Sequence, residues 1–164
     1  MHLWIRSEVR DFEKRVGITP NAVTELISKG FEVTVEDSSS RAIPTQYYRN
    51  VGANIVPSNS WQFAPDHAII FGLKELPENI KILKHRHIMF GHAYKGQSGA
   101  ADLLKRFKDG GGTLYDLEYL LDKNDSRIAA FGYWAGFAGA AVSLKVWLHQ
   151  QNNKSPGPEK INIY

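Results

Sequence analysis

The sequence has 164 residues, 43% hydrophobic and 23% charged, which is an ordinary composition for one globular domain with its own core. Its 20 basic and 17 acidic residues give a net charge of +3 without a long basic run, so a nucleic-acid partner is not favoured, whereas an anionic small molecule is suited. The lack of cysteine excludes disulfides, thiolate chemistry and cysteine-based zinc sites.

Two stretches could direct the chain to a membrane or out of the cell, and neither has the required character. The amino terminus, MHLWIRSEVR, has Arg and Glu where a secretory signal has its apolar core. Residues 128–144 carry no charge but are fewer than the roughly 20 that a bilayer requires, and their Gly and Ala content favours a helix packed inside a protein. We therefore expect a cytosolic protein without a membrane span.

The first third of the chain predicts a β-loop-α-β unit. Residues 2–5 read as a first strand, and a polar loop follows them. Thr19 and Pro20 are typical of the N-cap and the first residue of a helix, and Gly30 ends that helix. A second strand, a loop, a short helix and an edge strand are expected at residues 31–36, 37–45, 47–52 and 54–57.

Two apolar runs predict the centre of a sheet. AIIFGL at residues 68–73 and HIMFG at 87–91 are too short for helices and rich in Ile and Phe. Such runs are typical of parallel strands that are buried on both faces. The segment between them contains proline and has the length of a helical crossover, so we expect helices to cover the sheet.

Ionisable side chains follow both runs at their carboxyl ends, where ligands bind in open α/β sheets. Lys74 and Glu75 follow the first run, and His92 and Lys95 follow the second. One interpretation is a shared polar site, in which a cleft opens between these side chains. The alternative is a solvated surface pair and a structural histidine.

The loop after the first strand, RSEVRDFEKR, would lie at the same edge of the sheet. Arg10 and Arg15 in this loop are candidate carboxylate clamps, because a guanidinium grips a carboxylate through two parallel hydrogen bonds. Taken by themselves, these residues equally suit a solvated surface of alternating charge.

The second half of the chain predicts two helices with short strands between them. A helix over residues 97–108 is stopped by the glycines 110–112, which are not a phosphate loop because they follow a helix instead of a strand. Two short strands are expected at 114–121 and 127–130, around the turn KNDS. A last helix is expected at 131–151. The apolar stripe of that helix, which we expect in the core, comprises Trp134, Phe137, Ala138, Ala141, Leu144 and Leu148.

These elements predict a three-layer, Rossmann-like α/β domain with a mainly parallel sheet. The domain is expected over residues 1–151, and a mobile polar tail over 152–164. No G-x-G-x-x-G follows a strand, so the sequence does not predict a complete dinucleotide-binding domain.

Eight stretches, in order along the chain, carry a family resemblance: LWIRSE, EKRVGITP, LISKGFEVTVEDS, GANIVPSNSW, IIFGLKELPE, HIMFGHAYKGQSG, GGTLYDLEYL and RIAAFGYWAGFAGAA. By these stretches the chain resembles the N-terminal half of the lysine-forming, NAD-dependent saccharopine dehydrogenases. The resemblance implies the fold of the N-terminal domain of alanine dehydrogenase and transhydrogenase. An ordered series of this length is more specific than any single short motif.

The resemblance implies an oxidoreductase of lysine metabolism that oxidises saccharopine with NAD and hydrolyses the imine to lysine and 2-oxoglutarate. It implies that Lys74 and His92 are the acid-base pair. This agrees with their chemistry, because a lysine becomes a base near neutral pH when it is desolvated or lies beside other cations, and a histidine titrates there unaided. The resemblance also implies substrate-binding residues, with an arginine at position 10 where a lysine is usual: Arg10, Arg15, Glu75, Lys95, Glu118 and Arg127.

The resemblance implies that NAD binds only when a complementary nucleotide-binding domain is present, and no metal is expected. The expected ligands are saccharopine, 2-oxoglutarate and lysine, and the expected protein partner is a nucleotide-binding subunit or a second copy of the chain. A stand-alone, non-catalytic module that binds a dicarboxylate or amino acid is the alternative from another functional class, and an inactive remnant is a third.

Overall fold

A computed structural model describes residues 1–130, 132–153 and 157 of the chain. The chain divides into two compact units, Met1–Leu120 and Leu121–Tyr164. The single domain expected over residues 1–151 stays a prediction.

The first unit is built on a six-stranded sheet in which every neighbouring pair of strands is parallel. The strands are β1 (His2–Ile5), β2 (Glu32–Glu36), β3 (Asn54–Val56), β4 (Ile69–Phe71), β5 (Arg86–Met89) and β6 (Thr113–Asp116). Their order is β3-β2-β1-β4-β5-β6, so the direction in which strands are added reverses between β1 and β4. The predicted α/β fold with a parallel sheet is confirmed.

Strands β1 and β2 are buried on both faces, as a sheet covered on two sides requires. All four residues of β1 and four of the five residues of β2 are buried. β4 and β5 lie next to each other inside the sheet, with Ile70 opposite His87. The two apolar runs of the sequence therefore form adjacent interior strands, as predicted.

Three helices accompany this sheet: α1 (Pro20–Ser28), α2 (Thr45–Asn50) and α3 (Ala100–Gly110). The Thr19 hydroxyl accepts a hydrogen bond from the Ala22 amide at 3.4 Å, which confirms the predicted N-cap of α1. Gly111 follows α3 with a φ of 70°, the left-handed conformation that commonly ends helices.

The crossover from β4 to β5, at residues 74–85, contains no helix in the part of the chain that the structure describes, so the expectation of a helical crossover is wrong. Arg106 of α3 satisfies two carbonyls of this irregular segment instead. Its Nε donates to the Ile80 oxygen at 2.6 Å and its Nη2 to the Pro77 oxygen at 2.8 Å. The segment also buries Leu83 in the core.

The main core of the first unit joins β1, β4 and β5 to α3 and to the 3-10 turn Trp61–Phe63. Trp61 is 2% exposed in this core, so the aromatic stretch after β3 is a packed corner, as the sequence suggests. His87 of β5 is also buried there, with its ring centroid 5.1 Å from that of Trp61 and 5.3 Å from that of Phe107.

The segment after β6 differs from its prediction. The strand expected over residues 114–121 ends at Asp116, whose carboxylate accepts the Glu118 amide at 3.0 Å and starts the 3-10 turn Leu117–Tyr119. The strand expected at 127–130 is reduced to one antiparallel bridge between Leu121 and Arg127.

The second unit contains that hairpin and the helix α4 (Gly132–Asn153). The turn of the hairpin is held by Asp122, whose carboxylate accepts the Asn124 and Ser126 amides at 2.7 and 3.0 Å. Phe131 and most of the predicted tail lie outside the described residues.

The apolar stripe of α4 was expected in the core, and this expectation is wrong for the structure described: Trp134 is 71% exposed and Phe137 is 59% exposed. The physical reason is that α4 is the only helix among the described residues of its unit, so its apolar side chains have no second helix within that unit. No helix in the described part of the chain is both long and apolar enough to cross a membrane.

Candidate functional site

Backbone pairing between the segments that follow β4 and β5 brings Lys74 and His92 to one edge of the sheet. The Gly72 amide donates to the Ile88 carbonyl at 3.0 Å, and the Phe90 amide donates to the Leu73 carbonyl at 3.3 Å. The two chain segments therefore stay paired beyond the strands themselves. Lys74 comes one residue after this last contact and His92 two residues after it, so both lie where ligands bind in such sheets.

Lys74 is half-buried, and its backbone is held by side chains of the loop that follows β1. The Glu8 carboxylate accepts the Leu73 amide at 2.6 Å and the Lys74 amide at 3.0 Å. The Arg6 guanidinium donates to the Lys74 carbonyl.

His92 has an unusual backbone and a carboxylate near its ring. Its φ of 49° lies in the left-handed region, which costs a non-glycine residue about 1–2 kcal/mol and is often found at functional sites. The ring stacks on Phe90 with the centroids 6.3 Å apart. Its Nδ1 lies 3.9 Å from Glu118 Oε2, too far for a hydrogen bond but close enough for an ion pair when the ring is protonated.

Glu118 links His92 to Lys95. The Lys95 ammonium donates to the other oxygen of the Glu118 carboxylate, whose side chain is 10% exposed. Asp116 anchors this arrangement, because its Oδ1 accepts the Gly91 amide at 3.1 Å as well as the Glu118 amide. The structure thus brings three predicted site residues together at the ends of β5 and β6.

Arg15 is engaged by a carboxylate of its own loop. Its Nε lies 2.8 Å from Glu13 Oε1 and its Nη2 lies 2.5 Å from Glu13 Oε2, so one edge of the guanidinium is occupied. These hydrogen bonds, and more weakly the charge of Lys74, hold the pKa of the buried Glu13 below its ordinary value. In turn, Glu13 raises the pKa of Arg15.

Two further predicted residues pair with each other. Arg10 Nη1 lies 2.9 Å from Glu75 Oε1, and both side chains are more than half exposed. An exposed pair of this kind contributes about 0–1 kcal/mol, so either partner can exchange for a ligand at little cost. Arg127 belongs to the second unit, where its Nη2 donates to the Ala129 carbonyl at 3.4 Å.

A cavity of about 630 Å³ opens beside His92, between the crossover, the end of β5 and α3. This is the size of a small-molecule site. Its walls are mixed: Phe90 and Leu103 are apolar, whereas Glu78 and Lys81 are charged.

The sequence predicted one cleft with Lys74, His92, Arg15 and Lys95 on its walls, and the structure distributes these residues differently. His92 lines the large cavity, together with Glu75. The other three are absent from the described walls of that cavity. Arg15 instead lines a separate space of about 20 Å³, which has room for about one water molecule.

Sequence reasoning missed the buried polar residues that support the site. Glu36 is fully buried and accepts five hydrogen bonds, from Trp4 Nε1, the amide and hydroxyl of Ser7, and the amides of Asn59 and Trp61. For Arg6 and Glu8 the sequence indicates only a polar loop. The one signal in the sequence is that both residues lie within three positions of a strand end. Exposed loop residues often lie there too, so this position does not by itself identify buried support residues.

Two observations on the described residues concern cofactors. No group of three His, Cys, Asp or Glu side chains among them is placed to hold a metal ion. The turn between β1 and α1, where a dinucleotide fold has its glycine-rich loop, contains Gly17 alone, and a Cβ there would lie 2.5 Å from Phe71 Cζ. Gly17 serves protein packing, so this turn does not fit a pyrophosphate.

Comparison of the whole chain with known proteins gives a consistent result. Residues 4–138 match the family described as Alanine dehydrogenase/PNT, N-terminal domain. The lysine-forming, NAD(+) saccharopine dehydrogenase of Schizosaccharomyces pombe is 51% identical over 91% of this chain and 41% of that protein. The enzyme of the same name from Yarrowia lipolytica is 48% identical over 98% of this chain and 42% of that protein. The chain therefore spans about two fifths of the length of these relatives.

Solved structures show the same fold at low sequence identity. An L-alanine dehydrogenase has a TM-score of 0.68 and 20% identity, covering 96% of this chain and 43% of that chain. A transhydrogenase from Sinorhizobium meliloti has a TM-score of 0.60 and 22% identity, covering 75% of this chain and 36% of that chain.

Proposed function

The chain belongs to the alanine dehydrogenase/PNT N-terminal domain family, and we propose that it is the substrate-binding and acid-base part of an NAD-dependent saccharopine dehydrogenase. The reaction converts saccharopine, NAD and water to lysine, 2-oxoglutarate and NADH. The observation that carries the proposal is the pairing of the segments after β4 and β5, which sets Lys74 and His92 at one edge of the sheet. The identity of about one half to saccharopine dehydrogenases supports this substrate over others of the family.

Lys74 is the proposed base for the oxidation step. It takes the proton of the secondary amine of saccharopine while the neighbouring carbon loses a hydride, and the carbon-nitrogen single bond becomes the double bond of an imine. Its backbone is held on both sides, which suits a base that must meet the amine in one orientation.

His92 is the proposed acid-base group for hydrolysis. It takes a proton from the water that attacks the imine carbon, while Lys74 gives the proton it took in the first step to the imine nitrogen, so a neutral carbinolamine forms. His92 then returns its proton to the nitrogen while the carbon-nitrogen bond breaks and the hydroxyl proton passes to Lys74, which leaves the amine of lysine and the ketone of 2-oxoglutarate. Glu118, with its carboxylate 3.9 Å from the ring, stabilises the protonated form between these steps.

The cations of the site bind the carboxylates of the substrate. Arg10 forms an exposed ion pair with Glu75, and the half-exposed Lys95 pairs with the largely buried Glu118. A substrate carboxylate can take the place of either glutamate, at lower cost for the exposed pair. Arg15 is bound by the buried Glu13, so a substrate carboxylate must compete with that ion pair at a greater cost.

The turn between β1 and α1 does not fit a dinucleotide, so we assign the removal of the hydride to a nucleotide-binding part on a further domain or a separate polypeptide. The family members named NAD-dependent support the need for this cofactor. The exposed aromatic side chains of α4, among them Trp134 and Trp147, support contact with such a partner or with a second copy of the chain.

Calorimetry tests the substrate-binding part of this proposal. The chain is titrated with 2-oxoglutarate and, separately, with NAD, and we expect binding of the dicarboxylate alone. Arg10→Ala and Arg15→Ala are each expected to weaken 2-oxoglutarate binding about tenfold, which is about 1.4 kcal/mol. Arg49→Ala removes an exposed arginine of α2 and is the matched control.

Two outcomes would count against the proposal. No 2-oxoglutarate binding, or binding that neither arginine substitution affects, would contradict the carboxylate site. Binding without saccharopine oxidation, even when a nucleotide-binding part is supplied, would favour the stand-alone binding module.

A further inference from the structure

One ion pair holds the backbone of Lys74 from both sides. Glu8 accepts the Leu73 amide at 2.6 Å through one carboxylate oxygen and the Lys74 amide at 3.0 Å through the other. Arg6 donates to the Lys74 carbonyl and also to Glu8 Oε2, which lies 3.2 Å from its Nη1. The amide and the carbonyl of Lys74 thus both bond to one connected pair of side chains.

We propose that Arg6 and Glu8 are positioning residues, which hold the backbone of Lys74 so that its amine meets the substrate in one orientation. This proposal rests on the proposed function, in which Lys74 is the base. Neither Arg6 nor Glu8 belongs to the acid-base pair or to the set of expected substrate-binding residues, and their effect is exerted through Lys74.

The burial of the pair gives it the rigidity that positioning requires. Arg6 is 2% exposed and the Glu8 side chain is 10% exposed. Burial lowers the pKa of Arg6, and the charge of Glu8 opposes this shift, so Glu8 stabilises the charged form of Arg6. Removal of one partner would leave the other as a buried charge without its ion-pair partner, which is unfavourable.

The backbone around Lys74 is adapted to this arrangement. A Cβ on Gly72 would lie 2.2 Å from Arg6 Nε and 2.4 Å from its Cζ, so a side chain at this position would displace the guanidinium. Beyond β4 the Lys74 backbone has no sheet or helix hydrogen bonds of its own. The ion pair therefore replaces the regular secondary structure that usually holds a catalytic side chain in place.

Glu8→Gln is the first test, because it keeps the shape of the side chain but replaces one acceptor oxygen with an amide nitrogen that cannot accept a hydrogen bond. The readouts are hydrogen exchange at the Leu73 and Lys74 amides and steady-state oxidation of saccharopine. For the second readout the chain is supplemented with the nucleotide-binding part of a fungal saccharopine dehydrogenase. Asp66→Asn, which alters the exposed Asp66–Lys84 pair, is the matched control.

We expect exchange at one or both amides to become at least about tenfold faster. We expect kcat to fall by about 10- to 100-fold with KM changed less than about threefold, because a small displacement of a catalytic group affects the transition state more than substrate binding. A purely stabilising role would leave kcat of the folded protein unchanged. Should Glu8→Gln fail to fold, Arg6→Lys and Gly72→Ala perturb the same contacts from the other side.

Three results would overturn the inference, and they differ from one another. Unchanged exchange at both amides would show that the pair does not hold this backbone. Faster exchange with normal kcat would show that holding it has no part in catalysis. Full turnover by Lys74→Met, with exchange at the two amides still slow in the unsubstituted chain, would refute the proposed function itself and leave the pair without a base to position.

Discussion

His87 lies inside the apolar core, where a positive charge on its ionisable ring is unfavourable. Its side chain is 1% exposed, the neighbouring groups with charge are Arg6, His85 and Arg106, and among the described residues its Nε2 has no hydrogen-bond partner. Burial, followed by the charge of Arg6, lowers the pKa of His87 from 6.5 to about 3. The folded protein therefore keeps this ring neutral over a pH range in which the unfolded chain protonates it.

The sign and size of the effect on stability follow from linkage. Between pH 6.5 and about 3 the unfolded state binds one more proton than the folded state, so the free energy of unfolding falls as the solution becomes more acidic. From pH 8 to pH 5 this one group removes about 2 kcal/mol, and the whole window amounts to about 5 kcal/mol. The contribution of His87 to the free energy of unfolding is fully present above pH 6.5 and is lost progressively below that pH.

Urea unfolding at pH 8 and pH 5 measures this contribution. His87→Leu replaces the ring with an apolar side chain of similar volume. From pH 8 to pH 5 we expect the free energy of unfolding of this variant to fall by about 2 kcal/mol less than that of the unsubstituted chain. His67→Gln changes an exposed histidine and is expected to alter the difference by less than about 0.5 kcal/mol. Equal pH dependence in His87→Leu and the unsubstituted chain would show that His87 does not cause the loss of stability in acid.

Two further predictions concern tight contacts in the first unit. Gly112→Ala should lower the free energy of unfolding, measured by urea unfolding, by about 2 kcal/mol or more. The reason is that the added Cβ would lie 2.3 Å from the backbone carbonyl oxygen of Leu83. A loss below about 0.5 kcal/mol would contradict this close contact. Glu36→Ala should cost at least about 3 kcal/mol in the same assay, because five donors lose their acceptor in a buried site. Ser40→Ala, on an exposed loop, is the control for both.

The parallel sheet could be predicted because its sequence signal is local. The runs at residues 68–73 and 87–91 are apolar at successive positions, which distinguishes a strand buried on both faces from one with a solvated face. Thr19 and Pro20 marked the start of α1 for an equally local reason, since a cap acts within a single turn. Structural features that depend on sequence neighbours within about four residues could therefore be predicted.

The support of the site could not be predicted, because it depends on contacts across the chain. Glu8 lies 65 residues before Leu73, and in the sequence its carboxylate looks like any acidic residue of a polar loop. Arg15 illustrates the same limit at short range. The guanidinium that could bind a substrate carboxylate binds equally well to the carboxylate of Glu13, two residues away. Residue type indicates the chemistry, and only the fold decides which carboxylate the arginine binds.

The helical elements show where periodicity misleads. The apolar spacing of α4 resembles that of a core helix, yet its apolar side chains are exposed in the described structure, because spacing cannot show what covers a helix. The crossover at residues 74–85 has the length of a helix but is irregular, and the Arg106 side chain satisfies two carbonyls that a helix would satisfy itself.

The measurement that tests the account most directly is NADH formation from saccharopine and NAD by the chain, with and without the nucleotide-binding part of a fungal saccharopine dehydrogenase. We predict turnover only when both parts are present, and its loss by at least about 100-fold in Lys74→Met and His92→Gln. Lys84→Met and His67→Gln, which alter exposed residues of the same types, should retain it. Turnover by the chain alone, or undiminished turnover in Lys74→Met, would contradict the account.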